Sequence, residues 1–190
     1  RMFYVVEDES NPGEYDPLNQ KLGFSKSLHS VLGYNYLISQ NLRVKLELYY
    51  QYLYGIPVKA GNPAWSMLNF GDSYFDQLPV IDSLINSGKG RNYGLELTVE
   101  KFLDKGYYAL LTGSIYESKY KGFDGIERNS AFNGNFILNT LAGKEFKIGK
   151  YHFLSLDVKV TYAGSLRYVP FNIEQVSSNY FVQMWDWSRA

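Results

Sequence analysis

Few residue types in this chain are able to do chemistry, and their spacing argues against each familiar use. In GKGRNYGLELTVEKF, residues 88–102, a dinucleotide-binding turn would need a third glycine where Tyr93 stands, and a helix where a strand pattern follows. The only two histidines, His29 and His152, each stand alone in a separate strand pattern, so no imidazole cluster supports zinc or iron. Cysteine is absent, which excludes thiolate metal sites, thiol nucleophiles and disulfides. Glu96 and Glu100 lie four apart on one face of a strand, roughly 13 Å at strand rise, wider than a glycosidase carboxylate pair. No serine sits in a nucleophile elbow and no phosphate-cradling loop is present. The chain is therefore not expected to be an enzyme, and neither a cofactor nor a metal is expected. Lys and Arg equal Asp and Glu at 19 each, so the formal net charge is zero and nucleic acid is not an expected partner.

The elements that would position any site are strands. In LRVKLELYYQYLY, residues 42–54, Leu42, Val44, Leu46, Leu48, Tyr50, Tyr52 and Tyr54 alternate with Arg43, Lys45, Glu47 and Gln51. Such alternation describes a strand with one apolar and one charged face, well beyond the usual five or six residues in length. The pattern recurs, giving six strands at about 28–38, 42–54, 91–103, 107–119, 131–146 and 152–165. Residues 1–26 read as a loop with a strand end at its start, and a short helix is expected at 79–87, with Pro79 in its first turn and Gly88 past its end.

The connections are sorted by length. Those at 39–41, 104–106 and 147–151 are short, whereas 55–90, 120–130 and the segment from 165 are longer. In an up-and-down sheet every short turn then lies at one end and every long loop at the other, as in bacterial outer-membrane barrels. Aromatics fit two girdles: Tyr36, Phe102, Tyr107, Phe146 and Tyr151 beside the short turns, and Tyr50, Tyr52, Tyr54, Tyr93 and Tyr162 toward the long loops. The plainer account is the ordinary preference of Tyr and Phe for strands. No run of eighteen apolar residues is present, so a transmembrane helix is excluded, which says nothing of a barrel.

The expected fold is all-β, an antiparallel up-and-down transmembrane β-barrel with short periplasmic turns and long extracellular loops. Six strands fall short of the usual minimum of eight, and an open edge in lipid leaves backbone groups unsatisfied, so a fragment of a larger barrel is expected. The opening RMFYVVEDES lacks the basic start and apolar segment of a secretory leader, consistent with a processed or internal piece. Leu42, Val44, Leu46, Leu48, Tyr50 and Tyr52 are expected to face lipid. Arg43, Lys45, Glu47, Glu96, Glu100, Asp157 and Lys159 are expected to face the lumen.

The segment 88–102, with YYQYLYGIPV (residues 49–58) before it and SKYKGFDGIERNSAFNGNFILNTLAGKEFKIGK (residues 118–150) after it, resembles the C-terminal barrel region of TonB-dependent outer-membrane receptors of Bacteroidetes. The likeness spans about residues 22–170 and is densest in the hairpins. It implies a barrel of about 22 strands around an N-terminal plug, and energy from the inner-membrane proton gradient, delivered by the periplasmic protein TonB. The implied role is uptake of a scarce nutrient such as an iron chelate, a cobalamin or a glycan. The implied partners are outer-membrane lipid, TonB through an N-terminal segment not found in this sequence, and, in some arrangements, a surface lipoprotein. The plug, the TonB box and the final aromatic-ended strand are not found either, so the ligand class does not carry over. Trp65, Tyr74, Phe75, Trp185 and Trp187 in the long loops are candidate ligand contacts able to stack on a flat or sugar-like molecule, or else simply pack the loops together. The alternatives are a passive porin or small structural barrel, and a soluble secreted β-sandwich binding module.

Overall fold

The computed structural model describes residues 5–7, 11, 13–17, 19–69, 83–165 and 167. The described chain is all-β, with one short 3-10 turn at Met67–Asn69 and no α-helix among the described residues. Strands β1 (Val5–Glu7) and β2 (Tyr15–Pro17) form a separate antiparallel ribbon. The rest is one antiparallel sheet of seven strands: β3 (Lys26–Ser39), β4 (Leu42–Lys59), β5 (Leu84–Asp104), β6 (Tyr107–Lys121), β7 (Glu127–Asn129), β8 (Phe136–Ile148) and β9 (His152–Ala163). Its order is β3-β4-β5-β6-β8-β9, an open up-and-down meander, and β7 takes over the end of β6 beyond the reach of β8.

Turn chemistry explains the tight end. Lys105 and Gly106 both have positive φ, 51° and 78°, as a two-residue hairpin turn of the primed type requires. Gly149, at φ 67°, opens the turn between β8 and β9. Gln40 and Asn41 complete the third short connection. All three lie at one end of the sheet, and the connections 60–83 and 122–135 lie at the other.

The strands reach further into the long-loop end than their alternation indicates. β4 continues to Lys59 and β5 begins at Leu84, so residues 84–87, expected to close a short helix, are strand, while 79–82 lie outside the described residues. The reason is local. Gly55 sits at φ 66° among register shifts on either side of Ile56, a bulge that interrupts the period of two. Beyond it Ile56, Pro57 and Val58 are all buried, leaving no polar face to read. β8 conversely starts at Phe136, not 131: Asn135 has φ 68° and Asn133 is buried, with its backbone N–H bonded to the Ser130 carbonyl at 3.1 Å. Asparagines that satisfy the backbone locally compete with the strand ladder.

Register sorts the side chains cleanly. One face carries Leu32, Leu48, Leu95, Ile115 and Phe136 in one transverse row, and Tyr34, Leu46, Leu97, Gly113, Leu138 and Tyr162 in the next. The other carries Gly33, Glu47, Glu96, Ser114 and Ile137. The sheet is a single layer: the buried apolar residues Ile56, Val58, Ala64, Leu84 and Tyr120 all sit at the long-loop end, while Leu32, Leu48, Val158 and Val160 on the middle of the apolar face are exposed.

Two glycines on the polar face let tyrosines cross the strands. A Cβ on Gly94 would stand 2.7 Å from the Ile115 carbonyl oxygen and 2.8 Å from both the Tyr116 Cβ and the Tyr49 hydroxyl. The three atoms nearest a Cβ on Gly143 belong to the ends of the Tyr108 and Asp157 side chains and not to backbone, so they are able to swing aside. Gly94→Ala is therefore expected to cost about 1–3 kcal/mol through overpacking against backbone, and Gly143→Ala less. Gly23→Ala, whose Cβ meets nothing within 4 Å, should stay within about 0.5 kcal/mol. Denaturant titration compares the three, and equal midpoints for the Gly94 and Gly23 variants would show that β5 and β6 tolerate a Cβ there.

Candidate functional site

Alternation along β4 and β5 and their one-to-one register place Arg43, Lys45, Glu47, Glu96 and Glu100 on one face, and pairing through β6 and β8 adds Asp157 and Lys159 of β9 to it. Arg43 and Glu100 are directly opposite and form an ion pair, and Arg43 also covers the Phe102 ring at 5.8 Å. Phe102, expected in an aromatic girdle, thus belongs to the polar face. Glu47 stands directly opposite Glu96, a like-charge pairing that costs stability, and Lys45 Nζ offsets it at 2.6 Å from Glu47 Oε2. The Tyr108 hydroxyl reaches across Gly143 to donate to Asp157, whose Oδ1 also accepts from Ser155 at 3.2 Å.

Amide and hydroxyl ladders run between these charges. Asn92 donates to Gln51 at 2.8 Å and Gln51 to Ser27 at 3.2 Å. Thr161 donates to Asn139 at 2.9 Å and Asn139 to Thr112 at 3.4 Å. A hollow of about 460 Å³ opens on this face, lined by His29, Glu47, Tyr49, Gln51, Glu96 and Tyr116 among others. His29 makes an edge contact with Tyr49, their centroids 6.3 Å apart. The wall offers donors, acceptors and aromatic edges suited to water or a polar solute. Among the described residues no group of three or more His, Cys, Asp or Glu is placed to hold a metal ion.

Leu42, Val44, Leu46, Leu48, Tyr50 and Tyr52 share the opposite face, and Leu46, Leu48 and Tyr50 are exposed on it. Tyr50 stacks with Tyr93 at 6.5 Å and Tyr52 with Tyr54 at 5.8 Å.

The long-loop end is built as a small packed unit. Tyr120, 1% exposed, donates its hydroxyl to the Ala64 carbonyl at 2.8 Å. Asn133, fully buried, accepts from the Ser118 amide at 3.1 Å and donates to Asn129 at 2.8 Å. Asn69 accepts from the Ala131 amide at 3.0 Å, which ties the first long connection to the second. Of the five candidate ligand contacts, Trp65 is half-buried, with its backbone N–H bonded to Asn62 at 3.2 Å. Tyr74, Phe75, Trp185 and Trp187 lie outside the described residues.

Tyr120 and Asn133 were not visible as structural residues. The asparagine run 129–135 marks a turn, but which asparagine is buried depends on the β6–β7 pairing. Gly94 and Gly143 read as polar-face filler until register sets tyrosines beside them.

Compared with family models, with curated proteins and with solved structures, the chain matches none.

One charge pair in the second long connection gives a pH test. Arg128 forks onto Asp124 with contacts of 2.9 and 2.7 Å, and Asp124 also accepts from the Ile126 amide at 3.0 Å. The Arg128 hydrogen bonds hold the Asp124 carboxyl below its ordinary 3.8 despite some desolvation in the other direction. A depressed carboxyl stabilises the folded loop fully above the ordinary value and loses that contribution as pH falls through the lowered one. Protection factors of the 126–129 amides, corrected for intrinsic exchange, should hold between neutral pH and about 4 and drop below it. Asp124→Asn should flatten this dependence; an unchanged acid limb in that variant would assign it to another group.

Proposed function

We propose that the chain is part of an outer-membrane β-barrel, and specifically of a TonB-dependent receptor that takes up a scarce nutrient with energy from the inner-membrane proton gradient. The observation that carries the membrane reading is the two-sided sheet. One face is a band of Leu, Val, Ile and aromatic side chains across six long strands, exposed on each of them at Leu32, Leu48, Leu97, Ile115, Leu138 and Val160, and the other is laced with ion pairs and amide ladders. Water is a poor solvent for the first and lipid for the second, and a barrel wall in an outer membrane meets both.

Two further features support it. Short turns gathered at one end and long connections at the other match the asymmetry of outer-membrane barrels. β3 and β9 are long edge strands with no strand on their outer sides among the described residues, and they carry exposed Val31, Leu32, Leu156 and Val158. Unprotected edges of this kind invite association, and pairing with further strands of a closed barrel removes them. The transport mechanism itself rests on the sequence likeness of 88–102 and its flanks to the barrel of TonB-dependent receptors. In that reading Arg43, Lys45, Glu47, Glu96, Glu100, Asp157 and Lys159 line the lumen beside a plug, and the long connections lie outside the cell.

Leu48→Arg places a charge at the middle of the lipid face and is expected to cost about 2–4 kcal/mol, seen as lost heat-modifiable migration of the full-length protein. Ser114→Arg, on the polar face opposite Glu96, is expected to stay within about 0.5 kcal/mol. Unchanged assembly of the Leu48 variant would reverse or abolish the assigned faces. The chain preceding Arg1 tests the transporter reading: a plug and TonB-binding segment are expected, and a secretory leader joined directly to the first strand would make this a passive pore.

A further inference from the structure

The apolar face does not end in tyrosines; it ends in cations. Moving along the sheet from the leucine row toward the long loops, the next row holds Ser30, Tyr50, Tyr93 and Glu117. Beyond it come Leu28, Tyr52, Arg91 and Lys119, and then Lys26, Tyr54, Lys89 and Lys121. Two adjacent rows thus carry five cations on the face that carries the apolar band. Glu117 is taken by Lys119 at 3.2 Å, and Glu127, beside Lys121, is taken by Arg91 at 2.6 Å. Lys26, Lys89 and Lys121 make no ion pair among the described residues; Lys26 lies 5.9 Å from the Tyr54 ring centre.

This arrangement is unfavourable by itself. Lys89 and Lys121 are directly opposite across β5 and β6, and like charges at that position repel. On the polar face, by contrast, Arg43 and Lys45 each have a carboxylate. A hollow of about 220 Å³ opens between the two cationic rows and the tyrosines, lined by Tyr50, Tyr52, Lys89, Arg91, Lys119 and Lys121 and by the carboxylate Glu127, which Arg91 holds. Four cations against one carboxylate in its lining give it the charge to attract a phosphate, for which lysine and arginine provide charge-assisted hydrogen bonds. Depth fits as well: Lys89 is four residues beyond Tyr93 on β5, about 13 Å along the strand and less along the normal of a tilted one. An interfacial tyrosine then leaves Lys89 and Lys121 at headgroup level.

We infer that Lys26, Lys89, Arg91, Lys119 and Lys121 form a binding site on the outer wall for the phosphate-bearing headgroups of the anionic lipids in the leaflet at the long-loop end. The acyl chains of the same lipid lie along the Leu32 and Leu48 surface, while Tyr50 and Tyr52 sit at the boundary. Lys101 and Lys144 on the same face at the short-turn end are spread over separate rows, and Lys144 is engaged by the Tyr107 and Phe146 rings at 4.6 and 4.7 Å. The site therefore belongs to one leaflet.

The lipid contact presupposes the membrane reading above, so the test separates the two. Full-length protein extracted in detergent is titrated with diphosphoryl lipid A and with its dephosphorylated form, and bound lipid is counted by native mass spectrometry. The phosphorylated form should be retained in preference, and Lys89→Gln combined with Lys121→Gln should weaken it by roughly thirtyfold, the factor expected for two lysines at an anionic surface. Because this double substitution relieves a like-charge contact, heat-modifiable migration should be unchanged. Lys101→Gln with Lys144→Gln should leave binding as it was. Equal retention of both lipids, or undiminished binding by the Lys89/Lys121 variant in a protein that still migrates as a folded barrel, would overturn the site and leave the barrel standing. Displacement by excess inorganic phosphate would reassign the cations to a free anion. Partition of the native protein into the aqueous phase without detergent would remove both the barrel and the site.

Discussion

The backbone ladder, and not a packed core, holds this sheet together. β4, β5, β6 and β8 are hydrogen-bonded on both sides, and strands of 12 to 21 residues make those ladders long. Among the described residues nothing covers the apolar face through the middle of the sheet, where Leu32, Leu48, Val158 and Val160 are exposed. A soluble domain of this size normally derives its stability from apolar burial, and an exposed band this wide would make the sheet associate in water. The same band in hydrocarbon costs nothing, and the ladder then becomes indispensable because lipid supplies no competing hydrogen bonds.

The polar face carries two places where an aromatic side chain crosses a neighbouring strand. Tyr49 lies over Gly94 between β4 and β6, and Tyr108 lies over Gly143 between β6 and β9, where it meets Asp157. In both cases the aromatic ring crosses a strand at the point where the side chain has been removed. Glycines at internal positions relieve crowding where strands curve, and neighbouring aromatic rings cover the exposed backbone. The ion pairs Arg43–Glu100 and Lys45–Glu47 sit on the same surface, so the face that carries the tyrosine–glycine crossings also carries the charge pairs.

Much of this was legible in the sequence. Period-two alternation located β3, β6 and β9 closely and β4 and β5 at their short-turn ends, and it assigned Arg43, Glu47 and Glu96 to the face opposite Leu46 and Leu48, because a strand exposed to different media on its two sides writes that difference into every second residue. The reading weakened where that physics stopped. Ile56, Pro57 and Val58 are buried on both sides of a bulge, so their alternation vanished and β4 was cut short. Residues 84–87 looked helical through Pro79 and Gly88, yet they pair with the far end of β4. Phe102 counts as a girdle residue by its place beside a short turn, but it is two residues from Glu100 on β5, and the same alternation puts it on the polar face under Arg43. The tyrosine–glycine crossings and the cationic rows are properties of register, which no single strand carries.

The two ends of the sheet answer different demands. At the short-turn end Lys105, Gly106 and Gly149 reverse the chain in two or three residues and bury nothing. At the other end, the β4–β5 hairpin outruns its neighbours and folds its own small core of Ile56, Val58, Ala64 and Leu84 against Tyr120. Gly122 presses so close to Pro63 that a Cβ would fall 2.1 Å from its carbonyl oxygen. Asn69 and Asn133 then tie the connections to each other and to β6. Loops that only link strands across water need no core, since exposed backbone is satisfied by solvent. Loops that carry one hold their surface in a fixed shape, and a fixed surface lowers the ordering cost of binding. The end that carries this small core is also the end at which Lys26, Lys89, Arg91, Lys119 and Lys121 gather on the apolar face.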